Sequence, residues 1–130
     1  MLGSLLKYLY PQARPLIDWE VRDDGAGPYI FAWRLPTPQP TPAELAAAEL
    51  PAEKQWTIAA NRAECSRRIF ERYPAGRQLS ALAGLYDSAN VATMTDWIAA
   101  NISAENTAAD AIEAATTVQA VEAVSVSWPA

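Results

Sequence analysis

Asp18-Trp19-Glu20-Val21-Arg22-Asp23-Asp24-Gly25-Ala26-Gly27-Pro28-Tyr29-Ile30-Phe31-Ala32-Trp33-Arg34-Leu35 is the stretch from which the fold is read. From Leu16 to Arg22, apolar Ile17, Trp19 and Val21 alternate with Asp18, Glu20 and Arg22, the two-residue period of a half-buried strand. Asp23 to Pro28 then supplies turn chemistry: carboxylates that bond to nearby backbone, and glycines that accept positive φ. On the return, Tyr29, Phe31, Trp33 and Leu35 alternate with Ile30, Ala32 and Arg34. The pattern predicts a β-hairpin. Two strands alone are hardly stable in water, so a ribbon with apolar residues on both faces needs covering by a helix or a partner.

The flanks offer such cover. Leu2, Leu5, Leu6 and Leu9 fall at helical intervals before Pro11, predicting a short amphipathic helix. One or two turns cannot stand alone, so its leucine stripe must dock either on the sheet or on a neighbouring subunit. After the hairpin, Pro36-Thr37-Pro38-Gln39-Pro40-Thr41-Pro42 has a proline at every second position and reads as an extended spacer. Thr41 as N-cap, Pro42 as first helical residue and Glu44 as third form a capping box that starts a helix through Ala48 or Glu49.

Pro51 is expected to restart or kink that helix, and Ala52 to Tyr73 carries an apolar stripe of Trp56, Ala59, Ala60, Ala63, Phe70 and Tyr73, with Ile58, Cys65 and Ile69 beside it. Pro74-Ala75-Gly76 stops it. Further short helices are suggested by Leu79, Leu82, Leu85 and Tyr86, by Met94 to Ile102 behind a Thr93 or Thr95 cap, and by Ala108 to Ala115 behind Asn106. The alternation Val124, Val126, Trp128 suggests a terminal strand. The chain is thus expected to be α+β: a helix and hairpin lobe at residues 1–35, a proline linker at 36–42 and an Ala-rich helical lobe at 43–130.

Composition removes much chemistry. The 130 residues include no His and one Cys, so there is no disulfide framework, no imidazole acid or base, and no His-containing zinc site. Cys65 has no His to activate it and reads as a small buried apolar residue. Asp23-Asp24 beside Gly25 and Gly27 is a poor calcium loop, since the twelfth position counted from Asp23 is Arg34 instead of Glu. Gly25-Ala26-Gly27 lacks the Lys and Ser or Thr of a phosphate loop, and no acid pair stands out for glycosidase work. We therefore expect no enzyme, metal or cofactor.

Net charge is −5, and no basic residue follows Arg77, whereas Asp87, Asp96, Glu105, Asp110, Glu113 and Glu122 do. Such a surface does not displace counterions from nucleic acid. Arg62, Arg67, Arg68, Arg72 and Arg77, interrupted by Glu64 and Glu71, read as the solvated side of a helix. No apolar run is long enough for a membrane span, and Met1 to Tyr10 lacks the long apolar core of a signal peptide, so the expectation is no membrane insertion.

The segments Asp18-Trp19-Glu20-Val21, Asp23-Asp24-Gly25-Ala26-Gly27-Pro28-Tyr29-Ile30, Trp33 and Pro40-Thr41-Pro42-Ala43-Glu44-Leu45 together resemble the XkdW-like family of small proteins from tail operons of contractile-tailed phages and PBSX-type prophages. The likeness covers about the first fifty residues. It implies a structural role in the virion tail, as an adaptor at the fibre and baseplate junction, and carries no catalytic residues. A rival of another class is a fibre-assembly chaperone that stays in the host cytoplasm. The expected partners are other tail proteins, and the Ala-rich helices suit a homo-oligomer on a fibre axis as well as a monomer. Trp19, Tyr29, Phe31 and Trp33 are the candidate partner contacts, with Leu2, Leu5, Leu6 and Leu9 as a second docking stripe. Packing of the two sets on each other is the competing reading.

Overall fold

The computed structural model describes residues 1–130. With 61% of residues helical and 9% in strands, the chain is α+β with helix dominant. The elements run α1 (Leu2–Leu9), β1 (Trp19–Asp23), β2 (Pro28–Trp33), α2 (Pro42–Arg72), α3 (Ala75–Leu82), α4 (Ser88–Ala114) and α5 (Val118–Glu122). They fall into two compact units, Met1–Ala52 and Glu53–Ala130.

In the first unit, α1 buries Leu5 and Leu6 on one side. The hairpin is antiparallel and starts later than its alternation suggests. Asp18 folds back on Arg14, accepting from its backbone N–H at 2.7 Å and from its guanidinium at 3.1 Å, so residues 14–18 form a turn. Leu16 there has φ +69°, a conformation costing about 1–3 kcal/mol for a residue with a Cβ. Its N–H donates to the Trp19 carbonyl at 2.7 Å, and Leu16 and Ile17 are left exposed. The tight turn is closed by the Asp23 carboxylate, which accepts from the N–H groups of Gly25 and Gly27. Both glycines have positive φ.

The capping box forms as expected: Thr41 Oγ1 accepts from the Glu44 N–H at 3.2 Å, and Glu44 Oε2 accepts from the Thr41 N–H at 2.8 Å. The helix it starts does not end near Glu49. It passes through Pro51 and continues to Arg72. Proline removes only its own N–H bond and displaces one carbonyl, a local loss that a 31-residue helix with buried Ala48 and Ala52 tolerates.

In the second unit, α2 and α4 run antiparallel, linked by Lys54 Nζ to the Glu113 carbonyl at 2.6 Å, by the Arg62–Glu105 ion pair at 3.6 Å and by Arg68 Nε to Asn101 Oδ1 at 3.0 Å. The core comprises Cys65 and Ile69 of α2, Tyr73 just after it, Ala81 of α3, Ala108 and Ile112 of α4, and Val121 of α5. The buried side of α2 is therefore not the expected stripe. Ala59, Ala60 and Ala63 are exposed and Phe70 is 53% exposed, because Arg68 and Arg72 on the other side reach across to α4 and the chain end.

Two further expectations change. The separate helices around Met94 and Ala108 are one helix, capped by Asp87, whose carboxylate accepts from the Asn90 N–H. Thr93 and Thr95 lie inside it, their hydroxyls donating to the carbonyls of Ala89 and Val91. The terminal alternation forms no strand: α5 precedes it, and residues 124–130 are irregular, with Val124, Val126 and Trp128 half-buried.

Candidate functional site

The hairpin register decides what its aromatic residues can do. Trp19 is opposite Trp33 and Glu20 opposite Ala32, but Val21 is opposite Ile30, so Phe31 is the additional residue of a bulge. Opposed residues share a face, which puts Trp19, Val21, Ile30 and Trp33 on one side and Glu20, Arg22, Tyr29 and Ala32 on the other. Phe31 joins the second group, since the Arg22 guanidinium lies 3.3 Å above its ring centroid. The strict alternation that put Tyr29, Phe31 and Trp33 on one face is thus broken between Phe31 and Trp33.

The two faces have different environments. Trp19 is 4% exposed, its ring edge so near Gly3 that a Cβ there would sit 4.0 Å away. Trp33 packs edge-on against Tyr10 at 5.0 Å and donates its indole N–H to the Thr37 carbonyl at 2.7 Å, which ties the proline segment to the hairpin. Leu5 and Leu6 are buried, and Leu2 and Leu9 are half-buried. Trp19, Leu5 and Leu6 are therefore internal packing, which leaves them little surface for a partner.

Tyr29 and Phe31 are 40% and 48% exposed. Around them Arg22 bonds to Glu20 at 2.8 Å, and the Tyr29 hydroxyl donates to Asp24 Oδ2 at 2.5 Å. That bond to a carboxylate, helped by partial desolvation, pushes the Tyr29 phenol above its ordinary pKa. The face carries Phe31 beneath the Arg22 guanidinium and Tyr29 bonded to Asp24, the mixed aromatic and polar character common at protein contacts. Exposed Leu16 and Ile17 add to the apolar surface of this unit. Sequence alternation missed them as surface residues; the Arg14-x-x-x-Asp18 spacing was the signal that a turn precedes the strand.

The unit also has an open groove of about 420 Å³ lined by Tyr8, Leu9, Tyr10, Pro40, Glu44 and Pro51 among others. No group of His, Cys, Asp or Glu is arranged to hold a metal ion. No helix is long and apolar enough to cross a membrane.

Residues 2–57 match the family model described as XkdW protein. Over 45 residues the chain is 47% identical to the phage-like element PBSX protein XkdW of Bacillus subtilis (strain 168), an overlap of 35% of this chain and 41% of that protein. The match thus spans about two-fifths of the relative's length. No solved structure matches the chain. The segment that holds α1, the hairpin, the proline spacer and the start of α2 is thus similar to the XkdW protein of a phage-like element.

Proposed function

We propose that this chain is a structural component of a phage tail, an adaptor at the junction of fibre and baseplate that works through protein–protein contacts. The phage-associated side of this reading is supported by the XkdW match over residues 2–57. The observation that carries the contact surface is the division of the hairpin: Trp19 is spent on the core, while Tyr29 and Phe31 face outward beside Arg22. Aromatic and arginine side chains of this kind are those that dominate binding energy at interfaces. The chain acts in the virion tail after assembly in the host cytoplasm, needs no cofactor or metal and catalyses no reaction.

The test is incorporation. Particles assembled with Phe31→Ser and Tyr29→Ser are expected to contain much less of this chain, while the purified variant keeps its helical circular dichroism. Unchanged incorporation would remove the hairpin face as the contact. Presence of the wild-type chain in infected-cell lysate and its absence from particles would support a fibre-assembly chaperone instead.

A further inference from the structure

Residues 124–130 of the second unit belong to none of its helices. Val121 of α5 is fully buried and pins the chain just before them. Beyond it the backbone bonds only locally: the Val124 N–H donates to the Val121 carbonyl and the Trp128 N–H to the Val126 carbonyl, and no backbone bond reaches α2, α3 or α4. Ser125 and Ser127 are exposed, and residues 124–127 border an open groove of about 380 Å³ on α4, lined by Ala100, Ala104 and Thr107 among others. A segment with few buried contacts and an unbonded backbone opens at low cost.

What holds the segment is gathered at its end. Arg68 Nη2 donates to the Pro129 carbonyl at 2.5 Å, and the same guanidinium lies 5.4 Å from the Trp128 ring centroid. The Ala130 oxygen accepts from the Trp97 indole N–H at 2.8 Å and from Arg72 at 3.2 Å.

These donors are aimed by contacts in which the tail takes no part. Asn101, fully buried, accepts from Arg68 Nε at 3.0 Å and donates to the Trp97 carbonyl at 2.9 Å. Arg72 lies over the Trp97 ring at 4.6 Å, and Trp97 packs edge-on against Tyr73 at 5.7 Å. Arg62 is paired with Glu105 and Arg67 with Glu64 and Glu71, whereas Arg68 and Arg72 pair with no side-chain carboxylate. Their N–H groups serve peptide oxygens instead.

We propose that Arg68, Arg72, Trp97 and Asn101 form a peptide seat, that residues 124–130 are its tethered occupant, and that the tail of a second copy takes the same seat when the first has left. Recognition rests on donors held ready for two successive peptide oxygens and on a cation over the aromatic ring that precedes them. The tail suits exchange. Residues 123–130 have no charged side chain, so two tails approach one seat without repulsion, and Pro129, with its φ already fixed, loses little freedom on docking. This inference goes beyond the adaptor reading and does not depend on it.

The experiment is fluorescence polarisation of a labelled peptide with the sequence of residues 124–130, titrated with the full chain. A short tether keeps the chain's own tail at an effective concentration in the mM range, so wild-type protein is expected to bind the peptide weakly. Trp128→Ala loosens the tethered tail and leaves the seat intact, and is expected to bind the peptide with a Kd on the order of 100 µM, about tenfold tighter than wild type. Pro129→Gly, which frees the seated backbone, is a second loosened chain and is expected to shift the same way. Added to Trp128→Ala, two seat variants are each expected to weaken binding about fivefold or more: Trp97→Phe, which keeps an aromatic ring and removes the indole N–H, and Arg72→Ala. A peptide carrying Trp128→Ala is expected not to bind, and circular dichroism checks each fold. No binding to either loosened chain overturns the proposal. So does binding that is equal for wild-type and loosened chains, or that Trp97→Phe and Arg72→Ala leave intact, since the peptide then sits elsewhere.

Discussion

Trp19 and Phe31 lie on opposite faces of the same hairpin, the first 4% exposed and the second 48%. Their substitutions are expected to separate stability from binding. Trp19→Ala removes a core indole and should cost about 3–5 kcal/mol, on the scale of large-to-small changes in cores. Phe31→Ala loses an exposed ring and its contact with Arg22, about 0.5–1 kcal/mol. Urea unfolding followed by far-ultraviolet circular dichroism measures both.

The start of α2 rests on the reciprocal bonds of Thr41 and Glu44. Thr41→Ala should destabilise the chain by about 1 kcal/mol, and Thr41→Ser should restore most of that loss. A shift in urea midpoint with no change in slope would locate the effect in stability alone.

Asn101 is fully buried, accepting from Arg68 Nε and donating to the Trp97 carbonyl at 2.9 Å. Asn101→Ala leaves a guanidinium N–H and a carbonyl without these partners and is expected to cost about 1–3 kcal/mol. Thermal unfolding of the variant against wild type reads this directly.

Two exposed pairs give opposite pH dependence. The Arg14 hydrogen bonds hold the Asp18 carboxyl below its ordinary value, so its stabilising contribution is present above the unfolded pKa and fades as pH falls through the folded one. The Tyr29 phenol is raised by its bond to Asp24, so that contribution is present below the ordinary tyrosine value and is lost as pH rises through the folded one. Ultraviolet titration of tyrosinate should lose a late-titrating component in Tyr29→Phe, and Asp24→Asn should move that component to lower pH.

Cys65 is 7% exposed, and burial, with Glu105 adding to it, pushes its thiol up. Its reaction with a thiol reagent at neutral pH should be slow in native protein and fast in urea.

How far the fold was legible follows from how local each signal is. The Asp23 turn and the Thr41–Glu44 box are spelled out by residues two to four apart, and both form. The α+β class was legible for the same reason. The bulge was not, because one additional residue at Phe31 leaves the composition of the strand unchanged and shows only in its pairing with β1. Thr93 and Thr95 imitate caps because the same hydroxyl can bond forward to an N–H or back to a carbonyl. On α2 the apolar count favoured the alanines, yet the buried side is set by the arginines that reach Asn101, Pro129 and Ala130. The candidate contact was half legible: its aromatic content was evident, but the division between Trp19 and Phe31 depends on register.

The most direct test of the central claim is quantitative mass spectrometry of purified, salt-washed particles. The tail-adaptor account predicts this chain at a fixed ratio to the fibre and baseplate proteins in every preparation. Detection only in infected-cell lysate, with none in the particles, would contradict it.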